Sequence, residues 1–272
     1  MAESLRLRTI PRRRASSPLL EGTVFLMARA IRILPPTASD SAAKPPIGEP
    51  LADVAYFRVK AAIVEGALPP GLLASEQQIA SRLGMSRTPV HQALVRLEQE
   101  GWMEVIPRRG VRVAPISPND MRDIYDALLA LEVAAVGRLS LQSSHESETT
   151  LLTLEKVCDE ADKALERHDL LGWAAADDRF HTLLVDSSGN RHIARLARSV
   201  MEQVQRARLL TLKLRPRPSA SNADHRSILE AIKTHDSALA CDRMRAHRQR
   251  GIDVLIPILE ALSTHSQFLH TR

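Results

Sequence analysis

A mainly α chain is predicted: an N-terminal winged helix-turn-helix of three helices and a small β-hairpin, then an all-α helical bundle. Three observations carry that prediction. Hydrophobic residues make up 44% of the chain but aromatics only 3%, so Leu, Ala, Val and Ile must build the cores, a composition that favours packed helices over a β-sandwich. Three short capped segments with helical spacing are followed by two β-prone runs around Pro107-Arg108-Arg109-Gly110. From Ser117 onward the apolar residues keep a helical period, interrupted only at polar or Gly/Pro positions.

The 272 residues suffice for two domains. Residues 1–47 read as a disordered basic tail, closed by the Pro-rich stretch 34–48, and Met27 within it is a candidate start. Residues 48–116 form the winged helix-turn-helix and residues 117–268 the helical domain. No stretch approaches the roughly 18 apolar residues of a membrane span. Arg12-Arg13-Arg14 precedes an apolar run at 23–33, but Arg29 and Arg32 interrupt it, which argues against a secretory signal. Cys158 and Cys241 are isolated thiols, as expected of a reduced cytoplasmic protein. Charge is uneven. Residues 1–50 carry +4 and residues 51–116 carry +2, whereas residues 117–272 carry −1. The N-terminal part is therefore the side that meets an anionic partner.

The first helix spans 51–65 and is closed by Gly66, and Pro69-Pro70-Gly71 turns the chain. Ser75 and Gln78 have capping-box spacing and open a second helix that ends at Gly84. Ser86 caps the third, with Pro89 in its first turn and Val90, Ala93, Leu94 and Leu97 on its buried face. Residues 103–106 and 111–116 make the hairpin. Six further helices are expected near 118–140, 147–168, 170–187, 190–213, 221–235 and 237–264.

In such a unit the third helix enters the major groove of double-stranded DNA, while the second helix and the wing hold phosphates. Ser86, Arg87, Thr88, His91 and Gln92 on the third helix, Gln77 on the second, and Arg108, Arg109 and Gly110 at the wing tip are the candidate contacts. Arg87 suits guanine O6 and N7, a contact that discriminates by about 1–3 kcal/mol. For any one arginine a solvated surface is the plainer reading; the ordered set is what points to DNA.

Ile63-x-x-Gly66-x-Leu68-Pro69-Pro70-Gly71, Ala80-x-x-Leu83-Gly84-Met85-Ser86-Arg87-Thr88-Pro89-Val90 and Ala93-Leu94-x-x-Leu97-x-x-x-Gly101-Trp102 closely resemble the GntR family of bacterial repressors. The resemblance implies a homodimer on an inverted-repeat operator. Family members often carry arginine where this chain has Gln77 and His91. Fewer phosphate contacts are then expected, with a weaker salt dependence of binding.

In the helical part, Asp177 and His181 lie four apart on one helix face, which is more often a structural or solvated pair. His225 opens a later helix, and His247 lies on the next, about level with it across the turn at His235-Asp236. Taken singly, they are a helix-terminal histidine and one more polar residue of a basic run. Together, three imidazoles and a carboxylate from three helices suit a divalent ion, zinc or nickel first and manganese or iron as alternatives. Asp177-x-x-Phe180-His181, His225-Arg226-x-Ile228-x-x-Ala231-Ile232 and Met244-x-x-His247 resemble the FCD-type effector domain of the FadR subfamily, and six helices suggest its VanR-like branch. That resemblance implies a metal held by Asp177, His181, His225 and His247. One departure is Leu128-x-x-Leu131-Glu132, where these domains often begin with arginine. Arg206 and Arg208 are candidate substitutes toward an acidic effector, although a solvated helix face is the simpler reading of each.

The expectation is a regulator, acting as a repressor, whose operator binding responds to a small carboxylate effector beside the ion. Two alternatives stand: an all-α metal-dependent hydrolase with a DNA-binding head, and a regulator whose metal is purely structural.

Overall fold

The computed structural model describes residues 50–142 and 144–270. The expectations for residues 1–47, including the start at Met27, fall outside the described residues. The reading head comprises α1 (Leu51–Val64), β1 (Leu73–Ala74), α2 (Glu76–Leu83), α3 (Arg87–Gln99), β2 (Met103–Ile106) and β3 (Gly110–Val113). The bundle comprises α4 (Pro118–Ser140), α5 (Ser144–Glu166), α6 (Leu170–Asp186), α7 (Arg191–Thr211), a 3-10 turn (Leu212–Leu214), α8 (Ser219–Lys233) and α9 (Ser237–His270). Among the described residues, no helix is long and apolar enough to cross a membrane.

Local chemistry accounts for the helix ends. Ser75 and Gln78 form a reciprocal capping box at α2, and Gly84 closes it in the left-handed conformation. Ser86 stands at the start of α3, but its side chain makes no capping hydrogen bond. Ser117, Asp169 and Asn190 accept from backbone N–H groups at the starts of α4, α6 and α7.

The wing differs from the predicted hairpin. It is a three-stranded antiparallel sheet in the order β1-β3-β2, with Leu73 opposite Arg112 and Val105 opposite Val111. The two-residue β1 is too short to leave an alternating pattern, and β3 stops at Val113 rather than running to Ile116. Gly110 has φ +106, and a Cβ there would collide with the carbonyl of Ala74. The glycine is therefore required by the close approach of β1 and β3, whatever it meets on DNA.

Two hydrophobic cores result. Ala55, Val59, Ile63, Val90, Leu94, Leu97 and Trp102 bury their side chains inside the head. Leu128, Leu139, Leu154, Trp173, Phe180, Leu184, Ile228 and Leu255 anchor the bundle. Polar contacts join the parts: Lys60 on α1 pairs with Glu202 on α7 at 2.5 Å, and Arg206 donates to the carbonyl of Ala114, also at 2.5 Å. The helix α7 thus touches the head while packing within the bundle.

Candidate DNA-reading surface and metal centre

The apolar stripe of α3 faces the head core, so its other face is left outward. Ser86, Arg87, Thr88, His91, Gln92 and Val95 are all exposed, as are Gln77 on α2 and Arg108 and Arg109 at the wing tip; Gly110 is half-buried. Arg87, Arg108 and Arg109 form no ion pair among the described residues, which leaves three cations available to phosphate or base. Arg108 occupies the left-handed region at φ 64, and the turn it makes projects the wing tip. His91 is less free: its Nδ1 lies 2.9 Å from Glu76 Oε1. A carboxylate therefore stands beside the recognition helix, able to accept from cytosine N4 but repelled by phosphate.

In the bundle, Asp177 and His181 project from α6, His225 from α8 and His247 from α9, all buried. His225 does not open its helix as expected but sits well inside α8, which begins earlier, at Ser219. The three imidazoles offer nitrogens that all lie within 4.8 Å of one another. Nε2 of His181 and Nε2 of His247 face each other at 3.2 Å. Asp177 borders the cluster, its Oδ1 3.7 Å from His225 Nε2 and its Oδ2 3.9 Å from His181 Nε2.

The outer faces of the rings fix their orientation. Nδ1 of His247 lies 3.2 Å from Asp224 Oδ2. Nδ1 of His181 lies 3.0 Å from Glu132 Oε1, off the ideal hydrogen-bond axis. Phe180 stacks flat on His225, with centroids 4.0 Å apart. Carboxylates on the outer nitrogens favour the tautomer that keeps the inner lone pairs free. Burial drives all three imidazoles toward their neutral form, His247 to about 4 and His225 well below its usual value.

These residues fit a metal ion. His225 Nε2 is buried with no hydrogen-bond partner among the described residues. Two nitrogens bound to one ion at about 2.1 Å and a tetrahedral angle stand about 3.4 Å apart, close to the separation of the His181 and His247 nitrogens. Asp177 is less free than the imidazoles, because Arg208 Nη1 lies 2.5 Å from its Oδ2. Burial alone would push the Asp177 carboxyl up; Arg208 outweighs it and holds the group well below the usual carboxylate range.

Arg206 and Arg208 are both buried, which corrects the solvated reading of each. They diverge. Arg208 turns to Asp177, whereas Arg206 turns to Ala114 and lies 6.0 Å from the Trp102 ring, at the joint with the head. Burial pushes the Arg206 guanidinium down to about 10.

Sequence reasoning missed Arg248 and the role of Glu132. They form a buried ion pair beside His181, linking α9 to α4. The available signal was the period of α9, where Met244, His247, Arg248 and Leu255 share the buried face. Asp224, one residue before His225, was missed as well. A cavity of about 230 Å³ lies against this cluster, with Arg208, Asp224, His247 and Arg248 in its wall.

The comparisons with known proteins bear on the family and the fold. Residues 51–113 match the model "Bacterial regulatory proteins, gntR family", and residues 123–250 match the FCD domain. The chain is 43% identical over 131 residues to an HTH-type transcriptional regulator in the TAR-I ttuE-ttuC' intergenic region of Agrobacterium vitis, covering 48% of this chain and 77% of that protein. It is 30% identical over 209 residues to the HTH-type transcriptional regulator YdhC of Bacillus subtilis, covering 75% and 91%. Among solved structures, McbR/YncC of E. coli shares the fold with a TM-score of 0.65 at 21% identity, over 79% of this chain and 99% of that one.

Proposed function

The chain belongs to the GntR family of DNA-binding transcriptional regulators, with an FCD domain after its helix-turn-helix, and on that premise we propose that it is a metal-containing repressor released from its operator by a small organic acid. The families and relatives it matches are transcriptional regulators and not enzymes, which removes the hydrolase alternative. Residues 48–116 read DNA, residues 117–268 bind the effector and form the homodimer, and residues 1–47 are a basic tail. Two copies of α3 then read the two halves of an inverted repeat. Ser86, Arg87, Thr88, His91 and Gln92 face the bases; Gln77, Arg108, Arg109 and Gly110 hold the backbone.

The observation that carries the metal-and-effector reading is the buried triad His181, His225 and His247, its free nitrogens converging beside a cavity. With Asp177, these residues would hold a divalent ion, zinc or nickel by their chemistry. Such an ion would supply open coordination positions for a carboxylate or water. Glu132 and Asp224 orient two of the rings, and Arg208 holds Asp177 in place.

The test is metal analysis of the purified chain together with operator binding. About one equivalent of a divalent metal per chain is expected, and it should be lost in His225→Ala. Substoichiometric metal, with stability unchanged in His225→Ala, would overturn the metal site. A metal that chelation removes with loss of thermal stability, but with no acid shifting operator affinity, would make the ion purely structural.

A further inference from the structure

The wall of the cavity beside the histidines contains five arginines: Arg208, Arg215, Arg217, Arg248 and Arg250. Four are engaged within the chain. Arg208 pairs with Asp177, Arg248 with Glu132 and Arg250 with Asp224, and Arg217 donates to the carbonyl of Leu165 at 2.9 Å. Arg215, in the loop between the 3-10 turn and α8, is different. Its Nη1 is buried and has no hydrogen-bond partner among the described residues. Burial, with Arg208 nearby, pushes this guanidinium below its ordinary value. Arg215 as a whole is half-buried, but this one buried and idle donor is costly unless an anion meets it.

The rest of the wall is mostly apolar. Tyr125, Trp173, Leu212, Pro216 and Val254 surround the space, whose volume of about 230 Å³ is small. Sites for drug-sized ligands run to about 300–1,000 Å³. A polyhydroxylated body would leave most of its hydroxyls facing hydrocarbon, each an unpaired polar group.

We propose that Arg215 is the anion contact of the effector site, and that the site takes a small monocarboxylate with an aromatic or aliphatic body, not a sugar acid. The proposal rests on the reading of the bundle as an effector domain and deepens it. The carboxylate lies on the guanidinium of Arg215, in the fork geometry these groups favour, while the body packs against Trp173, Leu212 and Val254.

The test is calorimetry on the full chain with benzoate and hexanoate, with benzamide as uncharged isostere and D-gluconate as polar acid. Benzoate or hexanoate binds wild type, and benzamide and gluconate bind at least tenfold more weakly. Arg215→Gln weakens the apolar acids at least tenfold, and Arg215→Lys restores part of the loss. Without ligand, Arg215→Gln melts at or above the wild-type temperature, since it removes a half-buried charge whose inner donor has no partner among the described residues, and this confirms that the variant is folded. Should that variant fail to fold, the Arg215→Lys series and the contrast between benzoate and benzamide carry the test. Undiminished benzoate binding in both folded variants overturns the Arg215 assignment, and gluconate outranking the apolar acids overturns the apolar body; either result leaves the effector-domain reading intact. If no acid binds to protein that still holds operator and metal, both readings fall together.

Discussion

Glu132 shows how one side chain ties stability to the site. Fully buried, it meets Arg248 and the Nδ1 edge of His181, and although burial alone would raise its pKa, Arg248 and His181 hold it strongly down. Removing one member of a buried pair strands the other, at a cost of about 3–5 kcal/mol. Glu132→Gln should therefore lower the urea unfolding free energy by that order and weaken metal binding about 10–100-fold, as loss of an orienting partner does. A variant as stable as wild type would show that water reaches Arg248. The imidazoles make a second prediction. Their folded-state values lie below the roughly 6.5 of an unfolded histidine, so below that pH the unfolded chain binds more protons than the folded one. Metal-stripped protein should keep full stability above pH of about 6.5 and lose it as pH falls toward about 4, where His247 protonates. Equal urea midpoints at pH 7.5 and 5 would mean that the rings are not held neutral. The spacing of Asp177 and His181 was legible because one helix carries both. The Glu132–Arg248 pair was not, because its partners are 116 residues apart and only tertiary packing joins them.

At the scale of elements, α7 stands out because its two ends of function lie so close together. Glu202 reaches Lys60 in the head, Arg206 reaches the linker carbonyl of Ala114, and Arg208, two residues on, reaches Asp177 at the histidine cluster. Any rearrangement at Asp177 that moves Arg208 must shift the turn that also holds Arg206, because a packed helix transmits displacement as a rigid body. The double variant Glu202→Gln, Arg206→Leu should keep operator and effector binding separately but shrink the effect of one on the other, read as operator affinity with and without effector. Unchanged coupling would place the transmission elsewhere. The helices were legible because their ends carry local signals: Ser75 with Gln78, Gly84, and Asn190 bonding two backbone N–H groups. The strand β1 carries none. Two residues cannot show alternation, and Leu73–Ala74 becomes a strand only because β3 offers an unpaired edge. The burial of Arg206 and Arg208 escaped for a related reason: helical period marks a buried face by its apolar residues, and a buried arginine looks like a solvated one until its partner is found.

For the whole molecule, the proposed function links the two binding events, and linkage has a consequence that a purely structural metal does not share. If an effector in the bundle weakens operator binding by some factor, the operator must weaken effector binding by the same factor, typically about 5–150-fold, or about 1–3 kcal/mol. Calorimetric titration of the effector into free protein and into the protein–operator complex should therefore return Kd values whose ratio equals the ratio of operator Kd values with and without effector. The operator side is sensitive to salt, so both pairs must share one ionic strength. The salt dependence supplies an internal check on the DNA surface. Gln77 and His91 both stand exposed, Gln77 on the side proposed to face the DNA backbone, and Glu76 sits beside His91. Introducing Gln77→Arg should steepen the slope of log affinity against log salt by about 0.9 per new phosphate contact, twice over if a dimer binds two half-sites. A slope that steepens while the Kd ratio keeps its wild-type value would show that backbone contacts set the strength of binding without changing its response to effector. If the slope does not change, Gln77 points away from the phosphates, and the docking of α2 against the DNA backbone must be redrawn.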